Sequence, residues 1–303
     1  MRLSRLGVTR VRCLQQPMTS KKIYMTLCPS YHGATLLSLV MGNHSRIFAL
    51  GDTIPPRSFL SHRCGCGELI AECAFWQRVR SAVGDDDPVE LVSSRPRIFS
   101  SPVLNAGLVV ASGLLATKLR MAYRTGSFVR ANEAFLRVCA EFKEFDVFID
   151  GYKSLSRYLA LKTAGFPITG VIHLVRDPRS FVASAKRNGL PIEKSAQQWT
   201  RFHKAIPLVA KWAGERLLQI RYEDFCADPN AELSRLQSWM DLPPEDLIRP
   251  LRKDIHWIGN SSMINFDGQI RKIDAPRTHL NREEGEIVRR ITGRRAHEFG
   301  YVL

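Results

Sequence analysis

The sequence predicts an α/β fold in which a central parallel sheet is flanked by helices on both faces. Short, continuous apolar runs alternate along the chain with segments of helical periodicity. Runs such as Ile168–Val175 are apolar nearly throughout, as expected of strands buried on both faces. The 303 residues are 45% hydrophobic and 24% charged, which excludes disordered, collagen-like and coiled-coil chains.

Local patterns define the individual elements. Apolar runs predict strands at 21–28, 47–50, 146–150, 168–175 and 217–222. Helical spacing, Pro and Asp near first turns, and Gly or Asn after last turns predict helices at 35–41, 105–123, 128–143, 154–163, 180–187 and 228–240. Residues 53–100 are rich in turn-forming residues and contain a cluster of cysteines, and we predict that they are irregular.

Charge is distributed unevenly along the chain. Lys and Arg number 44 and Asp and Glu 29, a net charge of +15 that favours anionic partners. Residues 1–51 contain seven basic residues and no acidic one, so we expect residues 1–20 to be a disordered basic tail before a single domain at 21–303. No segment has the pattern of a secretory signal or a membrane span, so we expect a cytoplasmic protein without an integral membrane segment.

A first candidate anion site follows the first predicted strand. The loop from Pro29 to Thr35 contains Gly33 and leads into a helix, whose N-terminal N–H groups and dipole attract anions. The loop lacks the Gly-Lys-Ser/Thr ending of an ATP-binding P-loop, which argues against a kinase or ATPase. Taken alone, it is equally consistent with an ordinary strand–helix turn.

A second candidate anion site is more specific. Arg176 ends a predicted strand, where α/β proteins bind ligands, and Ser184 follows eight residues later on the next helix. Arg can hold a phosphate through two parallel hydrogen bonds, and a serine hydroxyl can donate a third. The alternative is that Arg176 pairs with a local Asp and Ser184 lies on a helix surface.

Four stretches together resemble the sulfotransferase family: residues 30–44, 62–76, 173–184 and 220–243. Their order and spacing span roughly residues 21–280. The resemblance implies a single-domain, P-loop-like, three-layer fold that uses 3′-phosphoadenosine-5′-phosphosulfate as sulfuryl donor, with no metal. It also implies a variable acceptor side at about 53–145, for a small-molecule, carbohydrate or peptide acceptor.

The resemblance assigns donor-binding residues position by position. It places the 5′-phosphosulfate against Ser30, Tyr31, Gly33, Ala34, Thr35 and Leu36, and the 3′-phosphate against Arg176 and Ser184. Tyr222 becomes a neighbour of the adenine or a phosphate, or else a core aromatic at the end of the sheet. Arg271 and Lys272 become the basic residues that close over the 3′-phosphate, while His256 and Asn260 either face substrate or order that loop.

Catalytic roles follow from the same comparison with the family. Tyr31 stands where a cation is common, so Lys153 is implied as the cation that contacts the transferring sulfuryl group. Asp52, after Gly51, matches the position of a family base, although its side chain is one methylene shorter than Glu. His32 is the rival base, since another branch of the family uses histidine.

His62, Cys64, Cys66 and Cys73 form a cluster of residue types that bind zinc, but their spacing is not that of a common zinc motif. We expect reduced thiols that pack a loop, and no metal.

Two other function classes remain open. One is a nucleotide-binding protein that has lost catalysis, suggested by Tyr31 and the altered C-terminal loop. The other is a nucleic-acid-binding protein, suggested by the net charge, but the sequence has no basic–aromatic recognition motif. We therefore expect no nucleic-acid partner.

Overall fold

The computed structural model describes residues 21–51, 60–83, 126–252, 255–259, 263, 266–271 and 279–303. Four sequence-based predictions lie outside these residues: the tail at 1–20, the helix at 105–123, and the roles of Asp52 and of the pair Asn260 and Lys272. The described elements, in chain order, are β1 (Lys22–Leu27), α1 (Ala34–Gly42), β2 (Ile47–Ala49), α2 (Ala74–Val83), α3 (Ser127–Phe142), β3 (Val147–Lys153), α4 (Leu155–Ala164), β4 (Ile168–Val175), α5 (Pro178–Arg187), α6 (Ile192–Trp212), β5 (Arg216–Arg221), α7 (Tyr222–Ala227), α8 (Pro229–Trp239) and α9 (Arg282–Glu298).

The five strands form one sheet in the order β2-β3-β1-β4-β5, and every pairing is parallel. The predicted fold class is therefore confirmed. In the central strand, Leu27 pairs with Lys153 on one side and with His173 on the other. Since all strands run the same way, the segments after β1, β3 and β4 leave the sheet side by side at its carboxyl edge.

Helices cover both faces of the sheet because successive side chains of β1 point to opposite sides. Ile23, Met25 and Leu27 enter a core shared with α2, α3 and α4, whereas Tyr24 and Cys28 enter a second core shared with α1 and α8. A third cluster joins α5, α6 and α9. The sheet is thus a rigid platform whose carboxyl edge carries the loops described below.

Four helices were not predicted: α2, α6, α7 and α9. The irregular conformation predicted for 53–100 is wrong at α2, where Phe75, Trp76 and Val79 supply a buried face. Helix α6 contains Pro207, a residue that usually ends a helix, and α9 has a strongly polar composition. Tertiary packing stabilises these helices where local patterns do not predict them.

Among the described residues, no helix combines the length and apolar character needed to cross a bilayer.

Candidate functional site

The loop between β1 and α1 is shaped by two residues with left-handed backbones. Tyr31 has φ 63° and Gly33 has φ 83°. Position 33 also has no room for a side chain, because a Cβ there would lie 2.5 Å from the Tyr222 ring. Helix α1 starts at Ala34 with no side-chain cap, so its first N–H groups remain available to an anion.

Arg176, directly after β4, is bound to this loop. It is 6% exposed, its Nη1 donates to the Tyr31 carbonyl at 2.7 Å, and its guanidinium lies 4.6 Å from the centre of the Tyr222 ring. Its buried Nε has no hydrogen-bond partner in the part of the chain that the structure describes. A cation with an unused N–H, attached to an anion-binding loop, can donate a hydrogen bond to a phosphate oxygen.

The structure bears on both alternatives considered for the second anion site. The neighbouring carboxylate, Asp177, pairs with Arg179 at 2.7 Å and caps α5. Ser184 is 5% exposed and its hydroxyl donates to the Ser180 carbonyl at 2.9 Å. Ser184 is therefore buried in α5 rather than on a helix surface.

Residues that the sequence analysis did not single out hold Arg176 in place. The Glu223 carboxylate accepts hydrogen bonds from the Asp177 N–H at 3.0 Å and from the Tyr301 hydroxyl at 2.7 Å. The Trp199 indole donates to the Arg176 carbonyl at 2.9 Å. Glu223 follows Tyr222 directly in the Tyr-Glu-Asp motif, which was the one available signal for its role.

Lys153 ends β3 with φ 64°, a left-handed conformation that is strained for a residue other than glycine. The turn before it is fixed by Asp150, which accepts hydrogen bonds from the Tyr152 N–H at 3.0 Å and from Arg157 Nε at 2.8 Å. This ion pair is almost completely buried. Strained backbone that a rigid surround maintains is characteristic of functional sites.

The end of β2 touches the end of β3. A Cβ on Gly151 would lie 1.7 Å from the Gly51 carbonyl oxygen, so glycine is required where these backbones meet. Gly51 immediately precedes Asp52 in the sequence, and Gly151 lies two residues before Lys153. Asp52 itself is outside the described residues.

His32 lies in a buried chain of three histidines. It is 1% exposed, its Nδ1 is 2.9 Å from the Ser30 carbonyl, and its Nε2 is 3.0 Å from His203 Nε2. His203 Nδ1 is in turn 2.8 Å from His173 Nε2. A carbonyl oxygen can only accept, so His32 Nδ1 carries the ring proton and His32 Nε2 accepts from His203 Nε2. His203 Nδ1 then accepts from His173 Nε2, which leaves the buried His173 Nδ1 as an acceptor.

Burial keeps this chain neutral. It lowers the pKa of His32 to about 3 and that of His173 to about 4, and it lowers the pKa of His203 well below its usual range. Both ring nitrogens of His32 are engaged inside the protein, and neither offers a lone pair to an incoming substrate. These contacts argue against His32 as the catalytic base.

The C-terminal segment meets the anion loop at residues that the sequence analysis did not single out. The Ile258 N–H donates to the Leu50 carbonyl at 3.2 Å, and Gly259 lies so close to Thr35 that a Cβ would be 2.6 Å from its methyl carbon. Arg271 is exposed and pairs with Asp267 on its own segment at 3.0 Å. Residues 258 and 259 thus line the anion loop, while Arg271 is engaged at the surface.

The cysteine cluster has a different histidine from the one predicted. Cys64, Cys66 and Cys73 come together with His256, and their sulfur and nitrogen atoms all lie within 4.8 Å of one another. His62, which the sequence analysis included in the cluster, is exposed and is not one of the four converging residues.

A family model matches part of the chain, and a solved structure shares its fold. Residues 118–246, which include Lys153, Arg176, Ser184 and Tyr222, match the model of the sulfotransferase family. The sulfotransferase domain of the Synechococcus PCC 7002 olefin synthase is 14% identical, with a TM-score of 0.54 over 93% of this chain and 96% of that one. At this identity the likeness establishes a shared fold.

Two further solved structures are similar. A sulfotransferase domain from the curacin biosynthetic pathway is 17% identical, with a TM-score of 0.48 over 93% of this chain and 98% of that one. Sulfotransferase STF9 from Mycobacterium avium is 15% identical, with a TM-score of 0.46 over 94% of this chain and 78% of that one. No curated protein sequence matches the chain.

Proposed function

Residues 118–246 place this chain in the sulfotransferase family, and from that premise we propose that it transfers a sulfuryl group from 3′-phosphoadenosine-5′-phosphosulfate to a hydroxyl or amine of an acceptor. The observation that carries the proposal is the junction of Arg176 with the anion loop. One buried guanidinium bonds the Tyr31 carbonyl and stacks on Tyr222, the ring that contacts Gly33.

The residues at this junction fit a nucleotide whose ribose carries phosphates at its 5′ and 3′ positions. The uncapped N-terminus of α1 and the Thr35 hydroxyl would hold the 5′-phosphosulfate. The unused Arg176 Nε would hold the 3′-phosphate, and the Ser184 hydroxyl would turn from the Ser180 carbonyl to donate to it. Tyr222 would act as a positioning residue, because it is buried between Gly33 and Arg176 rather than open to an adenine.

The reaction balances with one base and one cation. The acceptor oxygen forms a bond to sulfur, the bond between sulfur and the bridging phosphate oxygen breaks, and the acceptor proton passes to the base. Lys153 would stabilise the negative charge that develops on the bridging oxygen. Adenosine 3′,5′-bisphosphate then leaves, and the sulfated acceptor carries the sulfuryl group.

Asp52 is the base that this proposal favours. Gly51, the residue before Asp52, packs against Gly151, which lies two residues before Lys153 at the end of β3. The buried, doubly engaged His32 is not available for proton abstraction.

The direct test supplies radiolabelled donor to the full-length protein with a panel of phenols, sugars, amines and peptides. We expect label in at least one acceptor class together with release of adenosine 3′,5′-bisphosphate. The matched variant Asp52→Asn keeps the side-chain shape, and its turnover should fall about 10²–10⁴-fold with donor affinity retained.

Three outcomes separate the alternatives. Transfer that survives in Asp52→Asn would reject Asp52 as the base. Tight binding of adenosine 3′,5′-bisphosphate without transfer to any acceptor class would favour a nucleotide-binding protein that has lost catalysis. Neither binding nor transfer would reject the proposed function.

A further inference from the structure

A second cluster of chemically active side chains lies between the cysteine-containing turn, residues 62–73, and the segment 255–259. The Cys73 sulfur is 3.7 Å from that of Cys66, 3.8 Å from that of Cys64 and 3.2 Å from His256 Nδ1. The Cys64 sulfur is 4.0 Å from the same nitrogen. All three cysteines are free thiols, so no disulfide accounts for the convergence.

These separations match the edge lengths expected of a tetrahedral metal site. With Zn–S bonds of about 2.3 Å and Zn–N bonds of about 2.0 Å, tetrahedral angles give S···S edges of about 3.8 Å and S···N edges of about 3.5 Å. The two sulfur–sulfur distances agree with the first value, and the two sulfur–nitrogen distances lie on either side of the second.

The surroundings suit thiolate ligands. Backbone N–H groups of Cys66, Glu68 and Trp76 face the sulfurs of Cys64, Cys66 and Cys73, respectively, where they can donate to thiolates. Hydrogen bonds of this kind orient and stabilise metal-bound sulfur.

The imidazole of His256 is held just as firmly. It is stacked on Phe75, with ring centres 5.1 Å apart and planes 9° apart, and meets the edge of Phe142 at 5.4 Å. The ring is therefore fixed with Nδ1 towards the sulfurs.

We propose that Cys64, Cys66, Cys73 and His256 bind one Zn²⁺ ion in a closed, structural site. Binding releases the thiol protons to solvent, and three thiolates with a neutral imidazole and Zn²⁺ give the site a net charge of −1. Sulfur-rich tetrahedral sites of this composition favour zinc over oxygen-preferring metals. Four protein ligands leave no open position for a reacting group.

The zinc site joins the cysteine-containing turn to the segment beside the anion loop. The Gly65 N–H donates to the Trp257 carbonyl at 3.0 Å, and Gly65 lies so close to the Trp257 indole that a Cβ would be 2.0 Å from its nitrogen. Ile258, the next residue, hydrogen-bonds Leu50 at the end of β2. The ion thereby fixes the position of Gly259 against Thr35, and this role does not depend on the proposed transfer reaction.

The test measures the metal content of the full-length protein purified from zinc-supplemented cells without chelator. Elemental analysis should find about one zinc per chain, and Cys73→Ser and His256→Ala should lose most of it. His62→Ala and Cys226→Ser are matched imidazole and thiol controls outside the group of four, and both should retain zinc.

A measurement on the wild-type protein covers the case in which ligand variants do not fold. Zinc is removed with a chelator and the protein is titrated with Co²⁺ alone, which should give the visible absorption of a tetrahedral ion and thiolate charge-transfer bands saturating at one equivalent. Chelation should also lower the unfolding temperature. Protein purified without zinc that also gives no such cobalt spectrum, or loss of zinc in His62→Ala equal to that in His256→Ala, would overturn the proposal.

Discussion

Tyr31 and Lys153 have left-handed backbones although neither is glycine, with φ of 63° and 64°. Such conformations cost of order 1–3 kcal/mol each and persist only where their surroundings enforce them. For Lys153 the surroundings are the buried Asp150–Arg157 pair and the contact of Gly151 with Gly51. The enforced conformation of Lys153 at the end of β3, next to β1, supports its proposed role as the sulfuryl-stabilising cation.

Replacing Lys153 by Ala should lower the maximal rate of transfer about 10²–10³-fold while changing donor affinity far less, because the interaction forms mainly in the transition state. Lys153→Arg should recover little, since a planar guanidinium does not replace a compact ammonium. The exposed Lys211→Ala is the matched control. Single-turnover kinetics at saturating donor measure the effect, and an unchanged chemical step in Lys153→Ala would contradict the assignment.

At the scale of elements, the three histidines link the anion loop, α6 and β4 through hydrogen bonds between neutral rings. The folded state holds their pKa values below the value near 6.5 expected in the unfolded chain. The unfolded chain therefore binds more protons below pH 6.5, so stability is complete above that pH and is lost as the pH falls towards about 4.

Each histidine that stays neutral should cost at most about 2 kcal/mol of stability between pH 7.5 and pH 5. Urea unfolding at several pH values measures this loss. In His203→Gln, which removes the central titrating ring and retains hydrogen-bonding groups, we expect a smaller fall over the same pH range, whatever its stability at pH 7.5. A pH dependence equal to that of the wild type would show that the chain does not carry the effect.

Some elements and site residues could be predicted from the sequence, and others could not. The strands were predictable because each is a continuous apolar run, and Arg176 was predictable because it follows one of them. His203 was not, because its role depends on α6 crossing His32 and His173, which no local pattern encodes. Lys153 was assigned from a family resemblance alone, and its backbone strain became visible only in three dimensions.

At the scale of the whole molecule, the strand order explains why the candidate site is built from distant segments. The β3-β1-β4 neighbourhood places the ends of three strands together, although β1 ends more than a hundred residues before β3 and β4 do. A long separation in the sequence also kept the fourth member of the cysteine cluster from being predicted, since His256 lies 183 residues after Cys73. His62, close in sequence, was the wrong choice for that reason.

The central claim is that this edge of the sheet recognises a 3′-phosphate through Arg176. Calorimetry with adenosine 3′,5′-bisphosphate and with adenosine 5′-phosphate, for the wild type, Arg176→Ala and the exposed control Arg187→Ala, tests it most directly. Arg176 also bonds the Tyr31 carbonyl, so a disturbed loop would weaken both nucleotides, and the difference between them is diagnostic. We predict that Arg176→Ala loses about 2–4 kcal/mol of affinity for the bisphosphate and far less for the monophosphate, with Arg187→Ala unchanged. Equal losses for both nucleotides, or a wild type that does not distinguish them, would contradict the claim.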